Sequence, residues 1–79
     1  MKVRLKLFAT FRQYLPAGAT GSGVEMEVPA GTRVGELLAR AGVPQEESPM
    51  ILVNGRGIDS DRMLVEGDVV AVFPAMAGG

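Results

Sequence analysis

The sequence closes on Phe73-Pro74-Ala75-Met76-Ala77-Gly78-Gly79, and its last two residues are the strongest chemical signal in the chain. A Gly-Gly pair packs nothing and has more backbone freedom to lose on ordering than any other dipeptide. Either such a tail is idle slack, or its lack of side chains is its use, since without Cβ atoms the thread is narrow and free to take unusual dihedrals. The α-carboxylate of Gly79 is an anion at neutral pH and a poor electrophile, so acyl chemistry there requires activation first. Other chemistry is scarce. There is no Cys and no His, which removes thiolate nucleophiles, disulfides, iron–sulfur clusters, typical zinc sites and imidazole acid–base catalysis. No metal site is expected. Glu25 and Glu27, and Glu46 and Glu47, have no evident pocket partners and read as solvated charges. The stretch Gly18-Ala19-Thr20-Gly21-Ser22-Gly23 lacks the Lys-Ser/Thr ending of a phosphate loop and precedes a strand rather than a helix, so it reads as a plain loop. Asp59-Ser60-Asp61 lacks the further ligands of a calcium loop and reads as a polar turn. The body of the chain offers no active site of its own, so the protein is not expected to be a catalyst alone.

The body must then hold and aim the terminus. A chain of 79 residues, 47% apolar and 22% charged, is one ordinary globular domain. A net charge of −1, with 5% aromatic residues and no Trp, argues against a nucleic-acid partner. No apolar run approaches the ~20 residues of a membrane span and no signal-peptide core opens the chain, so a cytoplasmic protein with no membrane partner is expected.

Val3, Leu5, Leu7 and Ala9 alternate with Lys2, Arg4, Lys6 and Phe8, the period of a half-buried strand. A short helical turn is expected around Phe11–Leu15, followed by a flexible glycine-rich loop. Val24 to Val28 alternates again; paired antiparallel with the first strand, it sets Glu25 and Glu27 on the same side as the basic residues. Thr32 is the expected N-cap of a helix carrying Val34, Leu37, Leu38 and Ala41 on one stripe, with Gly42 as its left-handed C-cap. Met50 to Val53 reads as a strand, Asn54-Gly55 as a hairpin turn, and Ile58 as the start of a brief return strand. Val69 to Phe73 is a last strand, apolar throughout. One helix covers only one face of a sheet, so half of this strand, together with Phe8, is expected to form an apolar patch beside the tail.

Strand, strand, helix and then two or three strands resemble the ubiquitin-like β-grasp, an α+β fold. Here a mixed sheet of about four to five strands packs on one main helix, with the first and last strands adjacent at its centre. The division is a domain over residues 1–74 and an extended tail over 75–79. The likeness sharpens in "VRLKLFATFRQYLP", "VNGRGI" and "EGDVVAVFPAMAGG". These resemble the small sulfur-carrier proteins, namely the molybdopterin synthase small subunit and the thiamine-biosynthesis sulfur carrier. Gly67-Asp68, Phe73-Pro74 and the final diglycine are the sharpest elements. "LFATFRQ" leans toward the molybdopterin type, while Ala75-Met76-Ala77 departs from it where a second proline often stands.

The resemblance implies that Gly79, supported by Gly78, is adenylated by an E1-like enzyme that uses ATP and Mg, while this chain binds no cofactor itself. A persulfide donor then supplies sulfur, giving a C-terminal thiocarboxylate. The sulfur passes to an acceptor, the molybdopterin synthase large subunit or an equivalent, which makes this chain the sulfur-donor subunit. Phe8, Phe73, Pro74, Met76 and Ala77 are the expected partner contacts. Ala75 to Gly79, extended at ~3.3 Å per residue, reach about 16 Å. Three alternatives remain at this stage: a thiamine-type or other metabolite sulfur carrier, a ubiquitin-like protein modifier, and a non-catalytic β-grasp interaction module.

Overall fold

The computed structural model describes residues 1–21 and 23–75. Strand β1, Lys2–Leu7, is followed by a 3-10 helix, Ala9–Tyr14, and by β2, Gly23–Glu27. Helix α1, Val34–Ala41, leads through a 3-10 turn, Gln45–Glu47, to β3, Met50–Val53, then β4, Arg56–Gly57, and β5, Val69–Phe73. The sheet has five strands in the order β2-β1-β5-β3-β4. β1 and β5 run parallel at its centre, and the other pairings are antiparallel. This mixed sheet with one main helix is the expected β-grasp.

Alternation fixes the layers. Val3, Leu5 and Leu7 of β1 and Val70 and Val72 of β5 are buried beneath α1, which contributes Val34, Leu37 and Leu38. Phe11 of the first 3-10 helix and Leu64 are buried in the same core. The β1–β2 register sets Lys2 opposite Glu27 and Arg4 opposite Glu25, so opposite charges face one another across the strands on the outer side. Gly42 ends α1 at φ 84, and its N–H donates back to Ala39 O at 3.1 Å, as its C-cap reading requires. Asn54 and Gly55 both have positive φ, 53 and 84, the pattern of a type I′ hairpin between β3 and β4.

Four local expectations are corrected. Ala9 does not continue the buried face of β1: it is exposed with φ 54, because the chain turns there into the 3-10 helix. That helix is one residue-pair earlier and longer than the expected turn, spanning Ala9–Tyr14 with Leu15 as its cap. Thr32 is not the N-cap of α1. Its hydroxyl donates to Pro29 O at 2.7 Å, closing the preceding turn, and Arg33 is the cap, its N–H donating to Glu36 Oε1 at 2.8 Å. The first helical N–H groups find carbonyls from the segment before β5 instead: Val34 N donates to Arg62 O at 2.9 Å and Gly35 N to Ser60 O at 2.8 Å. Gly35 suits this close approach: a Cβ there would stand 3.0 Å from Gln45 Oε1 and 3.4 Å from Ser60 O, so the neighbours would have to give way slightly. Finally, the return strand is Arg56–Gly57, and Ile58 lies just beyond it, its N–H donating to Ile51 O at 3.1 Å. No described helix is long and apolar enough to cross a membrane.

Candidate functional site

The place where the chain leaves the sheet is built by β1 and β5 together. Their parallel register sets Leu7 beside Val72 and continues one step further, where Phe8 N–H donates to Val72 O at 3.1 Å. Phe8 and Phe73 therefore stand side by side on the outer face. Their rings stack with centroids 4.5 Å apart and planes 6° from parallel. Stacked aromatic neighbours of this kind contribute about 0.5–1.5 kcal/mol beyond their buried area. On the other side of β5, Met50 of β3 pairs with Phe73. Met50 is 56% exposed, unusual for a large apolar side chain beside a strand end.

Phe73, Pro74 and Ala75 then rim an apolar depression of about 440 Å³, completed by Met50, Ala9 and Thr10. The turn at Ala9 is what brings Thr10 to this rim. Along the same outer face Val69 and Ala71 of β5 and Leu52 of β3 are half-buried. The expectation of an apolar patch on the uncovered side of β5, reaching Phe8, is thus met: Phe8, Phe73 and Pro74 come together. Met76, Ala77, Gly78 and Gly79 lie outside the described residues. Arg4 and Lys6 border the patch toward β2. Both side chains lie over Gly23, where a Cβ would stand 3.2 Å from Arg4 Nε and 3.3 Å from Lys6 Cγ.

Sequence reasoning missed Met50, Ala9 and Thr10. The signal for Met50 was available: Met50-Ile51-Leu52-Val53 is apolar at every position, as β5 is, so its outward alternates also belong to the patch. Ala9 and Thr10 gave no such signal, because nothing local announces the turn.

The opposite end of β5 is tied by polar groups. Asp68, only 3% exposed, accepts from Asn54 Nδ2 through Oδ1 and from Val65 N–H through Oδ2, each at 2.9 Å. Asn54 Oδ1 accepts from Val69 N–H at 2.9 Å, and Asn54 N–H donates to Val69 O at 2.8 Å. Arg4 N–H donates to Asp68 O at 2.9 Å, and Gly67, at φ 85, donates to Lys2 O at 2.8 Å. The Gly67-Asp68 pair thereby clamps the start of β5 to β1 and to the β3–β4 hairpin at once. Among the described residues, no group of three or more His, Cys, Asp or Glu side chains is placed to hold a metal ion.

A family model described as the ThiS family matches residues 5–79. The chain belongs to the ThiS family. A candidate molybdopterin converting factor, subunit 1, from Pyrococcus furiosus is 35% identical, with 95% of this chain and 98% of that chain covered and a TM-score of 0.69. Small archaeal modifier protein 1 from Haloferax volcanii is 26% identical, with 95% and 98% covered and a TM-score of 0.72. Subunit 1 in a complex of subunits 1 and 2 of the molybdopterin-converting factor from Helicobacter pylori is 20% identical over 100% of both chains, with a TM-score of 0.60, a likeness of fold. Comparison with curated proteins gives no match. This ThiS-family chain is accordingly a sulfur carrier of the kind shared with molybdopterin converting factors, or a ubiquitin-like small modifier.

Proposed function

We propose that the chain is a sulfur carrier for molybdopterin biosynthesis. In this reading the Gly79 carboxylate attacks ATP on an E1-like, Mg-using adenylating enzyme, pyrophosphate leaves, and a glycyl-adenylate forms. The outer sulfur of a persulfide donor attacks the acyl carbon and displaces AMP, giving an acyl disulfide. A second thiol of the donor then cleaves the S–S bond, is oxidised to a disulfide, and releases the thiocarboxylate, which delivers its sulfur on an acceptor subunit of the molybdopterin synthase type. This chain supplies the terminus and the docking surface; the ATP and Mg are its partner's. It acts as the sulfur-donor subunit and does not catalyse alone.

The observation that supports this reading is the exit of β5. The central strand of the sheet ends at a stacked pair of phenylalanines beside an apolar depression of about 440 Å³, and Pro74 follows at its rim. A proline there limits the directions in which the chain leaves the sheet, and an apolar surface beside the exit suits docking on a partner. The likeness to a candidate molybdopterin converting factor at 35% identity favours molybdopterin over thiamine or another thiolated metabolite. The subunit 1–subunit 2 complex of the Helicobacter pylori protein supports an acceptor subunit as partner.

A second reading, attachment of Gly79 to lysines of other proteins, is favoured by the likeness to small archaeal modifier protein 1 along nearly the whole chain. The two share the adenylation step and part afterwards. Intact-mass measurement of the chain recovered from its own host separates them. A carrier gains the mass of one oxygen-to-sulfur exchange, whereas a modifier is recovered joined to a second polypeptide. Recovery of neither form from cells actively making molybdenum cofactor would overturn the carrier reading.

A further inference from the structure

The chain contains one asparagine, Asn54, and a glycine follows it. In an Asn-Gly pair the glycine nitrogen approaches the side-chain carbonyl carbon with little hindrance, because no side chain shields it. Attack joins Gly55 N to Asn54 Cγ and breaks the Cγ–Nδ2 bond. The proton on Gly55 N departs with the amide nitrogen as ammonia, leaving a cyclic succinimide. Water then opens the ring at either carbonyl, so that position 54 becomes aspartate or isoaspartate. The step is redox-neutral, and water is its sole co-reactant.

Both residues are exposed at the tip of the β3–β4 hairpin, open to that water. The position of the Asn54 amide opposes the reaction. Nδ2 donates to Asp68 Oδ1 at 2.9 Å and Oδ1 accepts from Val69 N–H at 2.9 Å. Bringing Cγ onto Gly55 N requires the amide to turn and give up both bonds. The main-chain pairing of Asn54 with Val69 O at 2.8 Å restrains the turn as well.

We propose that Asn54 is a self-modification site gated by the fold: deamidation is slow while Asp68 and Val69 hold the amide, fast once the hairpin opens, and damaging when complete. Conversion replaces the donor facing Asp68 with a second carboxylate oxygen. Two acceptors of like charge then meet where a donor and an acceptor stood, and one of them belongs to a side chain 3% exposed. Isoaspartate also lengthens the main chain of a two-residue turn that sets the β3–β4 register. Each conversion therefore loosens the restraint that protected it.

The test uses the full chain in mildly alkaline buffer, folded and in urea, followed by intact mass and by mapping of the peptide containing Asn54. Mapping separates this site from Gln13 and Gln45. Aspartate and isoaspartate are expected at position 54 in urea, with the folded chain converting at least about tenfold more slowly, as for a group freed only by local opening. Equal rates in the two conditions, or no conversion in urea, would overturn the proposal. Asp68→Ala should raise the rate in folding buffer toward the urea rate; a fold-retaining variant with an unchanged rate removes Asp68 from the gate. If that variant does not fold, the comparison of folded and unfolded unaltered chain still decides. Asn54→Asp should lower the urea midpoint, and an unchanged midpoint would refute the damage.

Discussion

The two ends of β5 are built on opposite principles. At its start, Asp68 and Asn54 exchange hydrogen bonds with Val65, Val69 and each other, all at 2.9 Å, and the acidic side chain is buried. At its finish, Phe8 stacks on Phe73 on the side away from the helix, and Met50 stands half out of the surface. Directional bonds at one end set where the strand lies; undirected apolar surface at the other leaves it free to accept different partners. A buried polar cluster tolerates little change, because each lost partner strands another group away from water. An exposed apolar surface tolerates change in the free molecule and registers it on binding. Stability and function are thus expected to separate along a strand of five residues.

The strongest way to break this contrast is at the terminus. Deleting Gly79, or replacing it with Ala, is expected to abolish sulfur loading by the adenylating enzyme while the thermal midpoint stays unchanged; a matching loss of fold would contradict the division. Next, Asp68→Ala should cost about 1–3 kcal/mol in urea unfolding, since it removes the hydrogen bonds from Asn54 Nδ2 and from the Val65 N–H. A loss of loading with full stability would place function at the wrong end. Phe8→Asp should weaken binding to the adenylating enzyme or the acceptor subunit by about tenfold or more, near 1.4 kcal/mol, measured by calorimetry. Unchanged affinity for both disposes of the patch as a docking surface. The smallest effect is expected from Gly23→Ala, at most about 1 kcal/mol, because the atoms nearest the new Cβ belong to the Arg4 and Lys6 side chains, which can shift. A larger cost would show that those side chains are fixed in place.

Where the sequence pattern was local, it could be read. The alternation of β1, the all-apolar β5, the helical stripe of Val34, Leu37 and Leu38, and the Asn54-Gly55 turn each carry their signal within a few residues. The patch followed from a count of faces: one helix cannot cover both sides of Val69–Phe73. What escaped depends on distant partners. Thr32 has the chemistry of an N-cap, but its hydroxyl bonds Pro29 O, while carbonyls of Ser60 and Arg62 serve the helix start from far along the chain. The same holds for Asp68, whose role is set by Asn54 across the sheet. Gly67-Asp68 stands out in the sequence only as part of a family resemblance, not as a clamp. The nearness of Phe8 to the last strand is expected from adjacent first and last strands; the stacking of Phe8 on Phe73 is not, because it rests on the parallel β1–β5 register.

That register has a consequence for folding. β5 lies between β1 and β3 yet follows the other four described strands in the chain. In the folded chain the β1–β2 and β3–β4 pairs have no strand in common and are joined only through β5. Their union waits for long-range pairing, the slow kind of contact to form. A chain lacking β5 cannot close the sheet, since β1 and β3 each pair with β5 and not with one another.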